Sequence, residues 1–332
     1  MINIGVIGMG VMGKSHAQVY NKLPGVSVKA VCDNDINRAK EQAGIYQAEA
    51  CSDYRKLLEN PAIDAVSICL PDDLHVDATL AALKARKHIL LEKPLADTLE
   101  NGLIISEAVK NYERIFAVGY NMRFDPRYAR LKAGIDSKVI GDIIYITSRR
   151  NSSVNGPMRF KGHSDLCIHV MVHDINMVNW FISAKPLRVF ARSRDVVLHN
   201  HGMTDVIIAL ITYSNGVIVS MEASWVMIPE WPLAVDDHME VVGTGGVIYV
   251  DGCGEGLRIV SKDGISSPDT RYRPIINGLY GGDLEEELIT FLRAVEKGGV
   301  SVTGADEGIQ DLQVVDAILR SINEGKETEI YQ

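Results

Sequence analysis

Ile2-Asn3-Ile4-Gly5-Val6-Ile7-Gly8-Met9-Gly10-Val11-Met12-Gly13-Lys14 decides the fold through the order of its parts. An apolar strand-like run, a turn with glycines at three fixed positions and the start of a helical period follow one another without a gap. That is the context in which G-x-G-x-x-G carries meaning. Gly8 allows a tight turn, Gly10 lets the backbone approach a pyrophosphate, and Gly13 lets the helix lie close to the strand, while the helix N-terminus adds amide donors and partial positive charge. Asp33 closes the next strand-like run, where a carboxylate can accept hydrogen bonds from an adenosine ribose diol. The stretch predicts a dinucleotide site that favours NAD, because a 2′-phosphate would meet like charge at Asp33. Arg38 nearby keeps NADP as the alternative.

Outward from this stretch, the first 120 residues alternate short apolar runs with segments of helical period, the grammar of βαβ units. Strands are predicted at Ile2–Ile7, Val26–Cys32, Ala65–Leu70, His88–Leu91 and Ile115–Gly119, with helices at Gly13–Lys22, Ile36–Ala43, Tyr54–Glu59, Val76–Ala85 and Leu99–Asn111. After Gly119 the runs Ile143–Arg150, Leu187–Leu198, Val206–Tyr213, Val217–Val226, Met239–Val242 and Val247–Asp251 follow through turns, which predicts an antiparallel sheet. Ser214-Asn215-Gly216 is a hairpin signal, since Asn-Gly accepts positive φ. Further helices are predicted at Asp125–Ala133, Ser164–Ile182, Asp283–Lys297 and Asp306–Glu324. The fold class is therefore α/β: an N-terminal Rossmann doubly wound parallel sheet (1–120), then a C-terminal α+β domain with a largely antiparallel, open-faced sheet (121–332).

Composition removes several function classes. At 332 residues the chain exceeds what one core usually organises. With 34 Lys and Arg against 43 Asp and Glu, the net charge of −9 leaves no electrostatic footprint for nucleic acid. No apolar run approaches the length of a membrane span, and no signal-peptide pattern precedes the first strand. The five cysteines, Cys32, Cys51, Cys69, Cys167 and Cys253, are odd in number and never in C-x-x-C spacing. They predict neither a disulfide framework nor a cysteine zinc site, but a soluble protein of the reducing cytoplasm.

Glu92-Lys93-Pro94 ends a predicted parallel strand, where open α/β sheets bind ligands. A lysine there can hold a substrate hydroxyl and, when desolvated, take part in proton transfer. Asp165, His169 and His173 recur every four residues and so line one helix face. The same spacing suits a His-x-x-x-His metal pair, but no third or fourth ligand is evident, so a polar stripe lining a pocket is the reading taken and no metal is expected. Arg149, Arg150 and Arg159 lie just before that helix, where guanidinium forks could grip a carboxylate or diphosphate. Trp180, Trp225 and Trp231 are read as core or interface residues.

Together, Gly8–Gly13, Pro71 with His75, Lys87-His88 leading into Glu92-Lys93-Pro94, Gly119–Phe124 and Val172-His173-Asp174-Ile175 resemble the Gfo/Idh/MocA oxidoreductases nearly end to end. That family includes inositol, glucose and nucleotide-sugar dehydrogenases. The resemblance implies cofactor contacts at Gly8, Met9, Gly10, Val11, Met12, Gly13, Asp33, Asn34, Arg38, Leu70, Pro71, His75, Glu92 and Lys93. It implies a catalytic pair of Lys93 and His173, oxidising a secondary hydroxyl of a sugar, cyclitol or nucleotide-sugar by hydride transfer to nicotinamide. Substrate contacts are expected at Asp165, His169, Arg159 and, on a loop before a long helix, Tyr280. One departure is informative: the family usually carries Asp one turn before the catalytic histidine, and this chain has His169, which can donate as well as accept. The resemblance also implies a homodimer or homotetramer assembled through the C-terminal sheet. Two other functions known among such proteins are kept as alternatives, an NAD-dependent glycoside hydrolase and a non-catalytic NAD-binding regulator.

Overall fold

The computed structural model describes residues 1–159, 165–231, 235–252, 257, 259–261, 264–266, 269–299 and 303–331. The chain divides into two compact units, Met1–Phe124 with Arg271–Ile309, and Asp125–Thr270 with Gln310–Gln332.

In the first unit, β1 (Ile2–Ile7), α1 (Val11–Lys22), β2 (Val26–Cys32), α2 (Ile36–Tyr46), β3 (Glu49–Cys51), α3 (Tyr54–Glu59), β4 (Ala65–Ile68), α4 (His75–Lys84), β5 (His88–Glu92), α5 (Leu99–Val109) and β6 (Phe116–Gly119) alternate, β3 apart, as the sequence predicts. They form a six-stranded sheet in the order β3-β2-β1-β4-β5-β6, parallel throughout. All four residues of β4 are buried, which is why its run lacks the alternation of a one-sided strand. The strand order reverses between β1 and β4, and such a reversal opens a crevice at the carboxyl ends. Asp35, Asp53 and Thr98 cap α2, α3 and α5 through their side chains. The strand β3 was not predicted. It is three residues long, begins with an exposed Glu49 and owes its conformation to pairing with β2, so it carries no period of its own.

The second unit begins with α6 (Pro126–Asp136) and β7 (Ile143–Ser153), then a π-helical turn (Cys167–Met171) running into α7 (Val172–Phe181). Next come β8 (Pro186–Arg194), β9 (Val206–Tyr213), β10 (Ile218–Met227), β11 (Val235–Gly243) and β12 (Gly246–Asp251). A small hairpin of β13 (Ile259–Ser261) with β14 (Gly264–Ser266) ends this part. Asn215 and Gly216 join β9 to β10, with Gly216 at φ 85° and its amide donating to Tyr213. The start of the predicted helix, Ser164, lies outside the described residues. The remainder differs from expectation in its π turn. Asp165, His169 and His173 are half-buried while Leu166–Ile168, Val170–Val172 and Asp174 are buried.

The chain then returns to the first unit as a short hairpin, β15 (Ile275–Ile276) with β16 (Leu279–Tyr280), and the helix α8 (Asp283–Lys297). Leu284, Leu288, Phe291 and Leu292 of α8 share one core cluster with Ile4 and Val6 of β1, Ala17 and Tyr20 of α1, and Leu90 of β5. Last come α9 (Ala305–Glu324) and β17 (Thr328–Glu329), which pairs with β8. The second sheet has the order β12-β11-β7-β10-β9-β8-β17, antiparallel except where β10 runs parallel to β7. No helix among the described residues is long and apolar enough to cross a membrane.

Candidate active site

The glycine turn is built as a cradle. Gly8 has φ 89°, and a Cβ there would stand 2.4 Å from the Cys69 carbonyl oxygen. A Cβ on Gly13 would stand 1.8 Å from the Gly8 oxygen, whereas at Gly10 it would meet nothing within 4 Å. Gly8 and Gly13 therefore close the strand-turn-helix packing and Gly10 faces open space. No side chain caps the N-terminus of α1 and no acidic residue occupies its first turn, which suits an anion such as a pyrophosphate. Asp33, at the end of β2, accepts from the Met9 amide at 2.8 Å and the Asp35 amide at 2.9 Å. Arg38 Nη1 lies 3.2 Å from its Oδ2. Met9 is core, Val11 and Asn34 are exposed, and Met12 is half-buried. These residues fit a dinucleotide: an open amide-lined turn, an adjoining carboxylate, and a guanidinium at that carboxylate's outer edge.

The loops after β4 and β5 are tied together by one buried side chain. His75 Nδ1 lies 2.9 Å from the Pro94 oxygen and its Nε2 3.0 Å from the Leu70 oxygen. Burial pushes this imidazole's pKa down, against the two carbonyls, which accept from the ring and favour its protonated form. Its part in the site is thus to fix Leu70-Pro71 and Lys93-Pro94, the latter joined by a cis peptide bond. Lys93 itself is half-buried and Pro71 exposed.

Glu92 turns the other way, into a cluster that the sequence reading missed. His16 Nε2 lies 3.0 Å from Glu92 Oε1 and His16 Nδ1 lies 3.2 Å from Ser67 Oγ, which is 2.8 Å from the Tyr20 hydroxyl. Glu287 of α8 completes it: one atom from each of His16, Glu92 and Glu287 falls within 4.8 Å of the others. Both Glu287 oxygens are buried and lack a hydrogen-bond partner among the described residues. Burial first, then the carboxylates of Glu92 and Asp283, pushes the Glu287 pKa well above the ordinary carboxyl range. An imidazole with two carboxyl groups is chemically able to hold a divalent cation; a proton on Glu287 answers the same excess of negative charge. Sequence spacing gives no sign of this grouping, because its members come from α1, β5 and a helix nearly two hundred residues further on.

In the second unit, Asp165 accepts from the Cys167 amide at 2.7 Å, and burial raises its pKa. The His169 ring lies 6.3 Å from that of Trp225, which is core as expected. His173 is half-buried on α7. The helix is anchored on both flanks. Arg150 of β7 and Asp174 form a buried ion pair, Nε to Oδ2 2.5 Å, while Asn176 and Asn179 donate to Asp311 at 2.7 and 2.8 Å. Arg149 pairs with Asp236 at 3.2 Å, so both guanidinium groups have a carboxylate partner within the fold. Of Arg159 only the backbone is described, in the turn Pro157–Arg159. Tyr280 lies against the far end of α1, its carbonyl accepting from Lys22 Nζ, and lines a groove with Gln18, Asn21, Gln42 and Tyr46. That is roughly 16 Å along the helix from the glycine turn.

Comparison with known proteins agrees with this geometry. Residues 2–120 match the oxidoreductase family with an NAD-binding Rossmann fold, and residues 128–249 match the GFO/IDH/MocA C-terminal domain. The chain is 32% identical over 255 residues to the scyllo-inositol 2-dehydrogenase (NAD(+)) of Bacillus subtilis (strain 168), covering 75% of this chain and 73% of that protein. It is 26% identical over 340 residues to the myo-inositol 2-dehydrogenase of Thermotoga maritima, covering 100% and 99%. Among solved structures, the scyllo-inositol dehydrogenase of Lactobacillus casei with bound NAD(H) and scyllo-inositol superposes with a TM-score of 0.86 at 20% identity, covering 99% of each chain. The chain belongs to the GFO/IDH/MocA family of oxidoreductases, with an N-terminal Rossmann domain that binds NAD.

Proposed function

We propose that this protein is an NAD-dependent dehydrogenase of a cyclitol or closely related polyol, oxidising a secondary hydroxyl to a ketone with Lys93 and His173 as the catalytic pair. The observation that carries the reading is the placement of half-buried Lys93 at the carboxyl end of β5, in the sheet whose strand ends hold the glycine cradle and Asp33. The inositol dehydrogenases among its relatives support the substrate class, and the half-buried stripe of Asp165, His169 and His173 supports a polar pocket. His169 and Asp165 are its proposed substrate contacts, with Arg159 nearby in sequence. A histidine at position 169 donates to as well as accepts from hydroxyls, so the preferred isomer or substituent differs from that of relatives with Asp there.

The bound nicotinamide supplies the two-electron acceptor for the carbinol hydride. Asp33 accepts from ribose hydroxyls, and the amides opening α1 face the pyrophosphate. Lys93 donates a hydrogen bond to the reacting oxygen and opposes the negative charge that grows there. A ring nitrogen of His173 takes the hydroxyl proton, a task for which an imidazole titrating near neutrality is suited. The exposed apolar face of the second sheet, with Phe190, Ile208, Leu210 and Ile218, is the proposed contact with further copies of the chain.

The test is a panel of inositols, other polyols, aldoses, hexosamines and UDP-sugars with NAD or NADP, followed by absorbance of the reduced cofactor. Turnover is expected with cyclitols and NAD. Lys93→Met and His173→Asn are each expected to lower kcat by roughly 10²- to 10⁴-fold, the usual contribution of positioned acid–base groups, with NAD affinity kept. Near-normal turnover in either variant would refute the catalytic pair, and the absence of NAD uptake by calorimetry would refute the whole assignment.

A further inference from the structure

Cys32 and Cys51 lie nineteen positions apart in the sequence, a spacing that suggests nothing, yet they are direct register partners at the carboxyl ends of β2 and β3. Neighbouring strands run about 4.8 Å apart, inside the roughly 4.4–6.8 Å range of Cα separations that a disulfide spans. Register partners in a parallel pair also point to the same face. Both thiols are free, Cys32 buried and Cys51 half-exposed. The Cys51 thiol donates to the Val31 carbonyl at 3.7 Å. The neighbouring Cys51 sulfur, with burial, pushes the Cys32 thiol well above its usual range, and the neighbouring Cys32 thiol draws the Cys51 thiol below its ordinary value against the effect of burial. A partly exposed thiol with increased thiolate character beside a second thiol has the arrangement of a reactive and a resolving cysteine.

The backbone of the same two residues holds the nucleotide grip. The Cys32 carbonyl accepts from the Gly8 amide at 2.8 Å, and the Cys51 carbonyl accepts from the Asp33 amide at 3.2 Å. The strand β3 is a three-residue edge strand paired only with β2, so it is the element that yields when the two are drawn together. We propose that Cys32 and Cys51 form an oxidation site for hydroperoxides whose disulfide product weakens NAD binding by displacing the backbone that carries Gly8 and Asp33.

The chemistry balances with the peroxide as sole oxidant. The Cys51 sulfur attacks a peroxide oxygen, the O–O bond breaks, and sulfur is oxidised to sulfenic acid as the peroxide is reduced to water or an alcohol. The Cys32 sulfur then attacks the Cys51 sulfur, forming S–S and breaking S–O. The departing hydroxide takes the Cys32 proton and leaves as water. A dithiol reductant reverses the modification.

The experiment treats the intact protein with stoichiometric hydrogen peroxide, maps disulfides by peptide mass, and measures NAD affinity by calorimetry before and after. The expected result is a Cys32–Cys51 cross-link and an NAD Kd raised at least about fivefold, the lower end of ordinary coupling between linked sites. Reduction should restore the Kd. By reciprocity saturating NAD should bias the thiol–disulfide equilibrium toward the dithiol by the same factor. Cys51→Ser should lose the peroxide response, and Cys32→Ser should accumulate a sulfenic acid at Cys51 that dimedone traps. A Cys51 that stays reduced, a disulfide to any other cysteine, or a Cys32–Cys51 cross-link with unchanged NAD affinity would each overturn the proposal. The mass measurement needs no turnover, so its outcome is separate from that of the dehydrogenase assignment.

Discussion

Glu287 places a carboxyl group where water does not reach, within a few ångströms of a second acid, and its two oxygens find no donor among the described residues. The ionised form is therefore disfavoured in the fold and unhindered in the unfolded chain. With a native pKa above the ordinary glutamate value, the native state keeps a proton that the unfolded state has released. Stability then falls as pH rises from about 4.3 towards the native pKa, by about 1.4 kcal/mol per pH unit for one such group. Glu287→Gln supplies a neutral group of the same shape and is expected to flatten that slope and to raise the melting temperature at pH 8 more than at pH 5. Parallel melting curves for the two proteins across that range would contradict the assignment. At this scale the site was legible where residue type and position coincide: the glycines and Asp33 stand where the sequence predicts. His75 was identified as a site residue, but its work of tying Leu70 to Pro94 depends on contacts that only folding brings about.

Helix α7 shows how an element is held in place from both flanks. The Arg150–Asp174 pair fastens it to β7 and the Asp311 bonds fasten its other flank, leaving His173 on the half-buried stripe. Removing one partner of a buried ion pair costs about 3–5 kcal/mol because it leaves the other charge unpaired. Asp174→Asn is expected to lower stability in urea unfolding by that order, whereas Arg150→Met combined with Asp174→Leu should restore most of it. Equal losses in the single and double variants would remove the ion pair from this role. Period and punctuation revealed the longer elements; they missed the short strands β3 and β13–β17, which form by pairing with a neighbour and carry no period of their own, and the π turn. The sequence predicts α8 as a helix, but not that its Leu284, Leu288, Phe291 and Leu292 cover the first sheet, because nothing in a helical run says which sheet it will cover.

For the molecule as a whole, the most exposed apolar surface of the second sheet alternates with its core. Ile208 and Leu210 are 54% and 48% exposed while Ile207, Ala209 and Ile211 are buried. Phe190 and Leu210 are register partners, so the exposed side chains adjoin across strands. Phe190, Ile208 and Leu210, interleaved with Arg192, Glu222 and Ser220 on the same face, form an amphipathic surface of the kind that self-association buries. The protein is expected to sediment as a dimer or tetramer, and Ile208→Glu with Leu210→Glu to shift it to monomer without loss of the folded circular dichroism spectrum. A monomeric wild type would remove the sheet from this role.

Chain order gives the nucleotide half an unusual birth. Its sheet is made well before the helix that covers Ile4, Val6 and Leu90, which begins only at Asp283. At synthesis rates of roughly 5–20 residues per second, on the order of ten seconds passes between the two. During that interval the nascent sheet presents an uncovered greasy groove, which is sealed only after the strands β7–β14 of the other unit have been made.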